Sequence, residues 1–227
     1  KMTKITLYNY WRSSASWRVR IALAAKKIPY NYEVVNIING DQKLPKYLDI
    51  NPNALVPSMM VEGYEKDPFI ITQSMAIIDF LENYDNNPIL TPKNLLDRAK
   101  MLEIVNTIVC DTHPLQNFGV LKTYPGGARR ERGHVVISKS FNAIEEFLKR
   151  NASLPSAQSG YCVGNNVTLA DVVLIPQVSN GITRFDINLD NYPRIKDVYQ
   201  HIITLEPFIA SHPRNQPDTP PEERKCE

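Results

Sequence analysis

Apolar positions change their period part-way along this chain. Ile5-Thr6-Leu7-Tyr8 reads as a short strand, closed by a polar turn at Arg12-Ser13-Ser14. From Ser14 to Lys27, Trp17, Ile21, Ala24 and Ala25 recur at helical spacing, with Arg18, Arg20, Lys26 and Lys27 largely on other faces. Lys26 and Lys27 would set positive charge at the negative end of that helix dipole. Tyr30–Ile38 predicts a second strand, and a β-α-β unit of this length favours a parallel pair with a right-handed crossover. A loose polar segment, Asn39–Ile50, follows. Val56–Val61 and Phe69–Ile71 then flank a turn at Glu62–Pro68, which predicts a β-hairpin. Ser74 opens a helix with Ile77, Ile78 and Leu81 on its apolar side, ending near Tyr84.

The order β-α-β, irregular helix, β-β-α is the thioredoxin-like plan, here assigned to residues 1–84. Asn86-Asn87-Pro88 and Thr91-Pro92 punctuate residues 85–92 as a linker. Beyond it the strand signals vanish: Leu95–Cys110, Glu131–Lys149, Thr168–Arg184 and Ile195–Leu205 all carry helical periodicity. The predicted fold class is therefore an α/β N-terminal thioredoxin-like domain followed by an all-α C-terminal domain over 93–227. The Pro-rich stretch Asn215–Pro221 is expected to run extended over the surface.

Composition narrows the function classes. A net charge of +2, with basic residues scattered or mixed among other types, points away from nucleic acid. No apolar run approaches the roughly 20 residues of a membrane span, and Lys1–Tyr10 lacks the apolar core of a secretory signal. Met2 reads as the native start, and a cytoplasmic location is expected. Cys110, Cys162 and Cys226 form no CxxC pair and no metal spacing with His113, His134, His201 or His212. Reduced cysteines and no metal are the expectation.

Three turns carry candidate chemistry. Ser13-Ser14-Ala15-Ser16 lies between a strand and a helix N-terminus. One serine there suffices as a cap, but free amides and the dipole also favour an anion. A serine hydroxyl can donate to a thiolate, and a donor-rich site raises the ionised fraction of a thiol whose free pKa is about 8.5. Leu55-Val56-Pro57-Ser58 enters a strand. Proline there marks an edge or first position, and in a thioredoxin-like plan it is the usual place of a cis peptide. Val56 can then pair its backbone with an extended peptide. Gln73-Ser74 begins a helix, with Ser74 as cap candidate or as a receiver of a carboxylate on free amides. Together the three turns suit a peptide bearing a thiol and an α-carboxylate, which describes glutathione.

The run Leu7-Tyr8-Asn9-Tyr10-Trp11-Arg12-Ser13-Ser14-Ala15-Ser16-Trp17-Arg18-Val19-Arg20-Ile21-Ala22-Leu23 closely resembles the signature of zeta-class glutathione transferases, the maleylacetoacetate isomerases, whose pattern reads SSCxWRVRIAL. Asn51-Pro52, Val56-Pro57, Gln73–Ile78, Pro114–Asn117, Tyr161–Gly164, Thr168–Asp171 and Ser211-His212-Pro213 with Gln216–Pro220 extend the resemblance in order along the chain. The resemblance implies Ser13 as the hydroxyl that activates the glutathione sulfur and Ser14 as the neighbouring donor. It implies glutathione contacts at Ala15, Gln42, Val56, Gln73, Ser74, His113 and Asn117. Arg184 is implied for a substrate carboxylate, and the basic residues Arg12 and His113 are further candidates for holding the carboxylates and stabilising the enolate. Ala15 replaces the motif cysteine, His113 a glutamine and Gly119 a serine; His113 reads either as a polar replacement contact or as an exposed histidine.

The implied reaction is glutathione-dependent cis–trans isomerisation of maleylacetoacetate to fumarylacetoacetate in tyrosine and phenylalanine breakdown, by a homodimer. The thiolate adds to a conjugated cis double bond, the bond rotates, and the thiolate leaves. The alternatives are a glutathione transferase acting on other electrophiles such as α-halo acids, or a non-catalytic glutathione-binding module. Thr168-Leu169-Ala170-Asp171 has a structural reading, a reciprocal capping box opening a buried helix with Pro176 inside it.

Overall fold

The computed structural model describes residues 3–224; the expected Met2 start and Cys226 lie outside the described residues. The chain divides into two units, one formed by residues up to Pro88 together with those from Glu206 onward, the other by Ile89–Leu205.

The first unit holds strand β1 (Lys4–Asn9), helix α1 (Ser14–Ala25), β2 (Asn31–Val34), the short α2 (Pro45–Leu48), β3 (Ser58–Glu62), β4 (Phe69–Thr72) and α3 (Ser74–Tyr84). The sheet order is β2-β1-β3-β4. β1 runs parallel to β2 and antiparallel to β3, and β3 and β4 form the hairpin. Leu7, Ile21, Leu23, Met59, Val61, Ile77, Ile78 and Leu81 are fully buried here. Each contributes about 1.5–3 kcal/mol of burial.

β2 is shorter than Tyr30–Ile38. Val35 N–H still reaches Asn9 O at 2.8 Å, but Asn36 N–H turns to the Asp41 carboxylate at 3.0 Å and the strand ends. The polar segment after it coils into a 3-10 turn, Asp41–Lys43, and α2.

The second unit is helical: α4 (Leu95–Asn106), α5 (Phe118–Leu121), α6 (Ala128–Asn151), α7 (Leu169–Phe185) and α8 (Pro193–Ile202). α4 stops short of Cys110 because the chain widens into a π-helical segment, Thr107–Thr112. There the Thr112 hydroxyl, which donates to Thr107 O at 2.6 Å, and His113 N–H, bonded to Ile108 O at 2.8 Å, set a five-residue spacing. α7 is buried along most of its length with Pro176 inside it. Its capping box forms as expected. The Asp171 carboxylate accepts Thr168 N–H at 2.7 Å and Cys162 N–H at 2.9 Å. Burial pushes both the Asp171 carboxyl and the Cys162 thiol above their usual pKa.

Helix α9 (Glu206–Ala210) and the chain after it group with the first unit, not with the helical one as the sequence suggests. The stretch expected to lie over the surface is partly interior, since Gln216 and Thr219 are buried. This placement also corrects the reading of α1. α9 packs on α1, and Arg18 and Arg20, expected largely off the apolar face, are buried as well. Burial pulls the Arg18 guanidinium down to about 10. Lys26 is buried rather than solvated. Its ammonium meets Glu82 at 2.8 Å and the carbonyls of Asp85 and Pro88 at 2.6 and 2.7 Å.

Candidate active site

The sheet register brings four of the expected segments to one end of the first unit. Tyr8 lies opposite Ser58, and Ser58 opposite Thr72. The turn leaving β1 toward Ser13, the entry through Val56-Pro57 into β3, and the exit from β4 into Gln73-Ser74 therefore share that end. Asn9 pairs with Val34, which sends the chain toward Gln42 from the same end.

Ser13 is the N-cap of α1. Its Oγ accepts Ser16 N–H at 3.2 Å, and its own N–H donates to Tyr10 O at 3.0 Å. Capping uses a lone pair, and the hydroxyl proton remains to be donated. The structural and chemical roles of Ser13 are thus compatible in one side chain. Ser14 and Ala15 are half-buried in the first turn, and Arg12 is exposed with its guanidinium 6.0 Å from the Trp11 ring centroid.

Val56-Pro57 is a cis peptide, as the sequence suggests. The ladder begins at Ser58, so Val56 lies beyond the last paired residue of β3. The cap of α3 differs from expectation. Gln73 occupies the cap position at φ 72° and ψ 123°, and Ser74 sits inside the first turn. That conformation costs a non-glycine residue about 1–3 kcal/mol. α3 starts at the shared end of the sheet, where the free amides of a helix N-terminus favour an anion. Gln42 donates from Nε2 to Ile37 O at 3.4 Å, while its buried Oε1 has no hydrogen-bond partner among the described residues.

In the helical unit, Asn117 caps α5, accepting Gly119 N–H at 3.0 Å. His113, at the end of the π segment, is half-buried. Arg184 lies in the last turn of α7, 5.2 Å from the Phe185 ring centroid, with Nη1 donating to Asn180 Oδ1 at 3.3 Å. Asn180 in turn donates to Gln116 Oε1 at 2.6 Å, and Gln116 Nε2 donates to Gln177 at 3.4 Å. A separate cavity of about 530 Å³ in this unit, bordered by Asn151, Tyr161 and Asp197, contains none of the expected site residues.

Comparison with known proteins matches residues 12–83 to the glutathione S-transferase N-terminal domain and residues 128–206 to the glutathione S-transferase C-terminal domain. The chain belongs to the glutathione S-transferase family. Maleylacetoacetate isomerase of Mus musculus is 40% identical over 223 residues, covering 97% of this chain and 98% of that protein. The crystal structure of maleylacetoacetate isomerase from Anaeromyxobacter dehalogenans 2CP-1, with glutathione bound in its active site, is 34% identical. It matches with a TM-score of 0.85 over 97% of this chain and 100% of that one. A bacterial zeta-class maleyl pyruvate isomerase, in its holo form, matches with a TM-score of 0.86 at 32% identity, over 95% of this chain and 100% of that one.

Two sets of hydrogen bonds that hold candidate residues, one in each unit, have little signal in the sequence. Tyr47 hydroxyl and Asn51 Nδ2 both donate to Leu55 O, at 2.7 and 2.8 Å, holding the residue before Val56. Only the Asn51-Pro52 pair hinted at it. The Gln116–Asn180–Arg184 chain was the other. Its signal was the spacing of Gln177, Asn180 and Arg184 along one face of α7.

Proposed function

We propose that this glutathione S-transferase family member is a glutathione-dependent cis–trans isomerase that converts maleylacetoacetate to fumarylacetoacetate in tyrosine and phenylalanine breakdown. The observation that carries the reading is end-to-end similarity to proteins of that activity, together with an intact serine cap at Ser13. The residues fit glutathione. Gln42 Oε1 is a buried acceptor that suits a peptide N–H, Val56 lies outside the ladder, and the amides at the start of α3 suit a carboxylate. These features support Gln42, Val56, Gln73 and Ser74 as glutathione contacts.

Glutathione, when bound, supplies a nucleophilic sulfur that adds to the cis double bond and is later released unchanged. Ser13 donates its hydroxyl proton toward that sulfur, with the α1 dipole behind it, which favours the ionised thiol. Ser14 and the Ala15 position border the same helix start. His113 and Asn117 are offered as further glutathione contacts from the helical unit. Arg184 takes a substrate carboxylate, with Arg12 for the other, because charge-assisted pairs are the strong ones. Negative charge that develops on the substrate oxygen is met by the same cations.

No helix of the described residues is long and apolar enough to cross a membrane. The reading includes a cytoplasmic homodimer. Isomerisation of maleylacetone with added glutathione, measured beside Ser13→Ala and Ala15→Cys, tests it. Turnover no faster than glutathione alone would overturn the assignment. Faster turnover of an α-halo acid or of maleylpyruvate in the same series would move it to that substrate.

A further inference from the structure

Two charged side chains grip the turn that carries Ser13. Arg20, fully buried, donates from Nη1 to Asn9 Oδ1 at 2.9 Å and Tyr10 O at 3.3 Å, from Nη2 to Trp11 O at 2.9 Å, and from Nε to Ser211 O at 3.2 Å. Tyr10 O is also the acceptor of Ser13 N–H. Asp218 works on the other side of the same peptide. Its Oδ2 accepts Trp11 N–H at 3.0 Å and its Oδ1 accepts the Tyr32 hydroxyl at 2.5 Å. Trp17 Nε1 donates to Ser211 Oγ at 3.0 Å and fastens the returning chain to α1.

All four acceptors of Arg20 in these bonds are neutral. A buried guanidinium without a direct carboxylate partner is a costly way to hold a fold together. What it gains is a planar fork that fixes two successive carbonyls at once. Asp218 fixes the N–H between them. The peptide joining Tyr10 and Trp11 is thereby held at its C=O and its N–H, and the next carbonyl with it, three and two residues before Ser13.

We propose that Asp218 and Arg20 are positioning residues for the Ser13 hydroxyl, so that the segment after the helical unit is a working part of the active site. The inference rests on the role proposed above for Ser13. Asp218→Ala strips the acceptor from Trp11 N–H and Tyr32 and lets the turn relax. Asp218→Asn rescues, because its amide oxygen can accept Trp11 N–H while its nitrogen donates to the Tyr32 oxygen.

The experiment is a double-mutant cycle of Ser13→Ala and Asp218→Ala. It reads kcat, KM for glutathione, and the thiol pKa of bound glutathione from its ultraviolet thiolate absorbance. Asp218→Ala is expected to lower kcat about tenfold and raise the bound thiol pKa in the parent protein. In the Ser13→Ala background it should do neither. Asp218→Asn should restore kcat to within about threefold of the parent. Effects that multiply in full across the two backgrounds, or a thiol pKa that Asp218→Ala leaves unmoved, would reduce Asp218 to a structural strap and overturn the proposal. Unaltered activity of Ser13→Ala alone would instead sink the serine assignment. Should Asp218→Ala fail to fold, Tyr32→Phe, which removes one support of the carboxylate, runs through the same cycle.

Discussion

Asn51 Nδ2 bonds the Leu55 carbonyl at 2.8 Å and the Ser58 hydroxyl at 3.1 Å, so one buried amide spans both sides of Val56-Pro57. Asn51→Leu keeps the branched shape and number of heavy atoms and loses both bonds. It should cost about 1–3 kcal/mol in urea unfolding and weaken glutathione binding several-fold by titration calorimetry. Unchanged affinity beside lowered stability would show that Val56 holds its place without Asn51.

Ser13 carries two separable jobs. Ser13→Ala should lose about 1 kcal/mol of stability with the cap and about 100-fold in kcat with the hydroxyl donor. Ser13→Asn should recover the stability, since asparagine caps as well as serine, without recovering turnover. Thermal melts and maleylacetone kinetics on the three proteins read both effects.

Lys26 is enclosed with Glu82. Lys26→Met leaves a carboxylate and two carbonyls without their donor and should destabilise by about 3–5 kcal/mol. Adding Glu82→Leu should return part of that loss, in the same denaturation assay. A Lys26→Met variant as stable as the parent would contradict the geometry.

Cys110 is exposed and Cys162 buried. Burial and the nearby Asp171 carboxylate raise the Cys162 pKa, and the thiol rather than the reactive thiolate persists at neutral pH. Iodoacetamide at pH 8 should alkylate Cys110 in the native protein and reach Cys162 only in denaturant, as peptide mass spectrometry would show.

Much of the first unit could be read from local pattern. The strand–turn–helix at Ser13, the hairpin and α3 are set by apolar period and by proline and glycine, which act within a few residues. Val56-Pro57 was legible for the same reason. Arg18, Arg20 and Lys26 were misread because a charge on a helix face normally means solvent. Their burial depends on acceptors such as Ser211 O and Asp85 O, which helical spacing cannot foresee. The cap of α3 was missed by one residue because serine is the better cap by type, whereas Gln73 holds the position through its backbone angle. The π segment leaves no mark in the apolar pattern, since what sets it apart is five-residue bonding such as Thr112 hydroxyl to Thr107 O and His113 N–H to Ile108 O.

The discontinuity of the first unit bears on synthesis. A growing chain completes the sheet and the serine turn early, then makes all of Ile89–Leu205 before Ser211 and Asp218 exist. Until they do, Arg20 lacks its Ser211 acceptor, and Trp11 N–H lacks the carboxylate that receives it. A nascent chain halted within the helical unit would therefore display the whole signature around Ser13 in an immature form, its turn still unclasped.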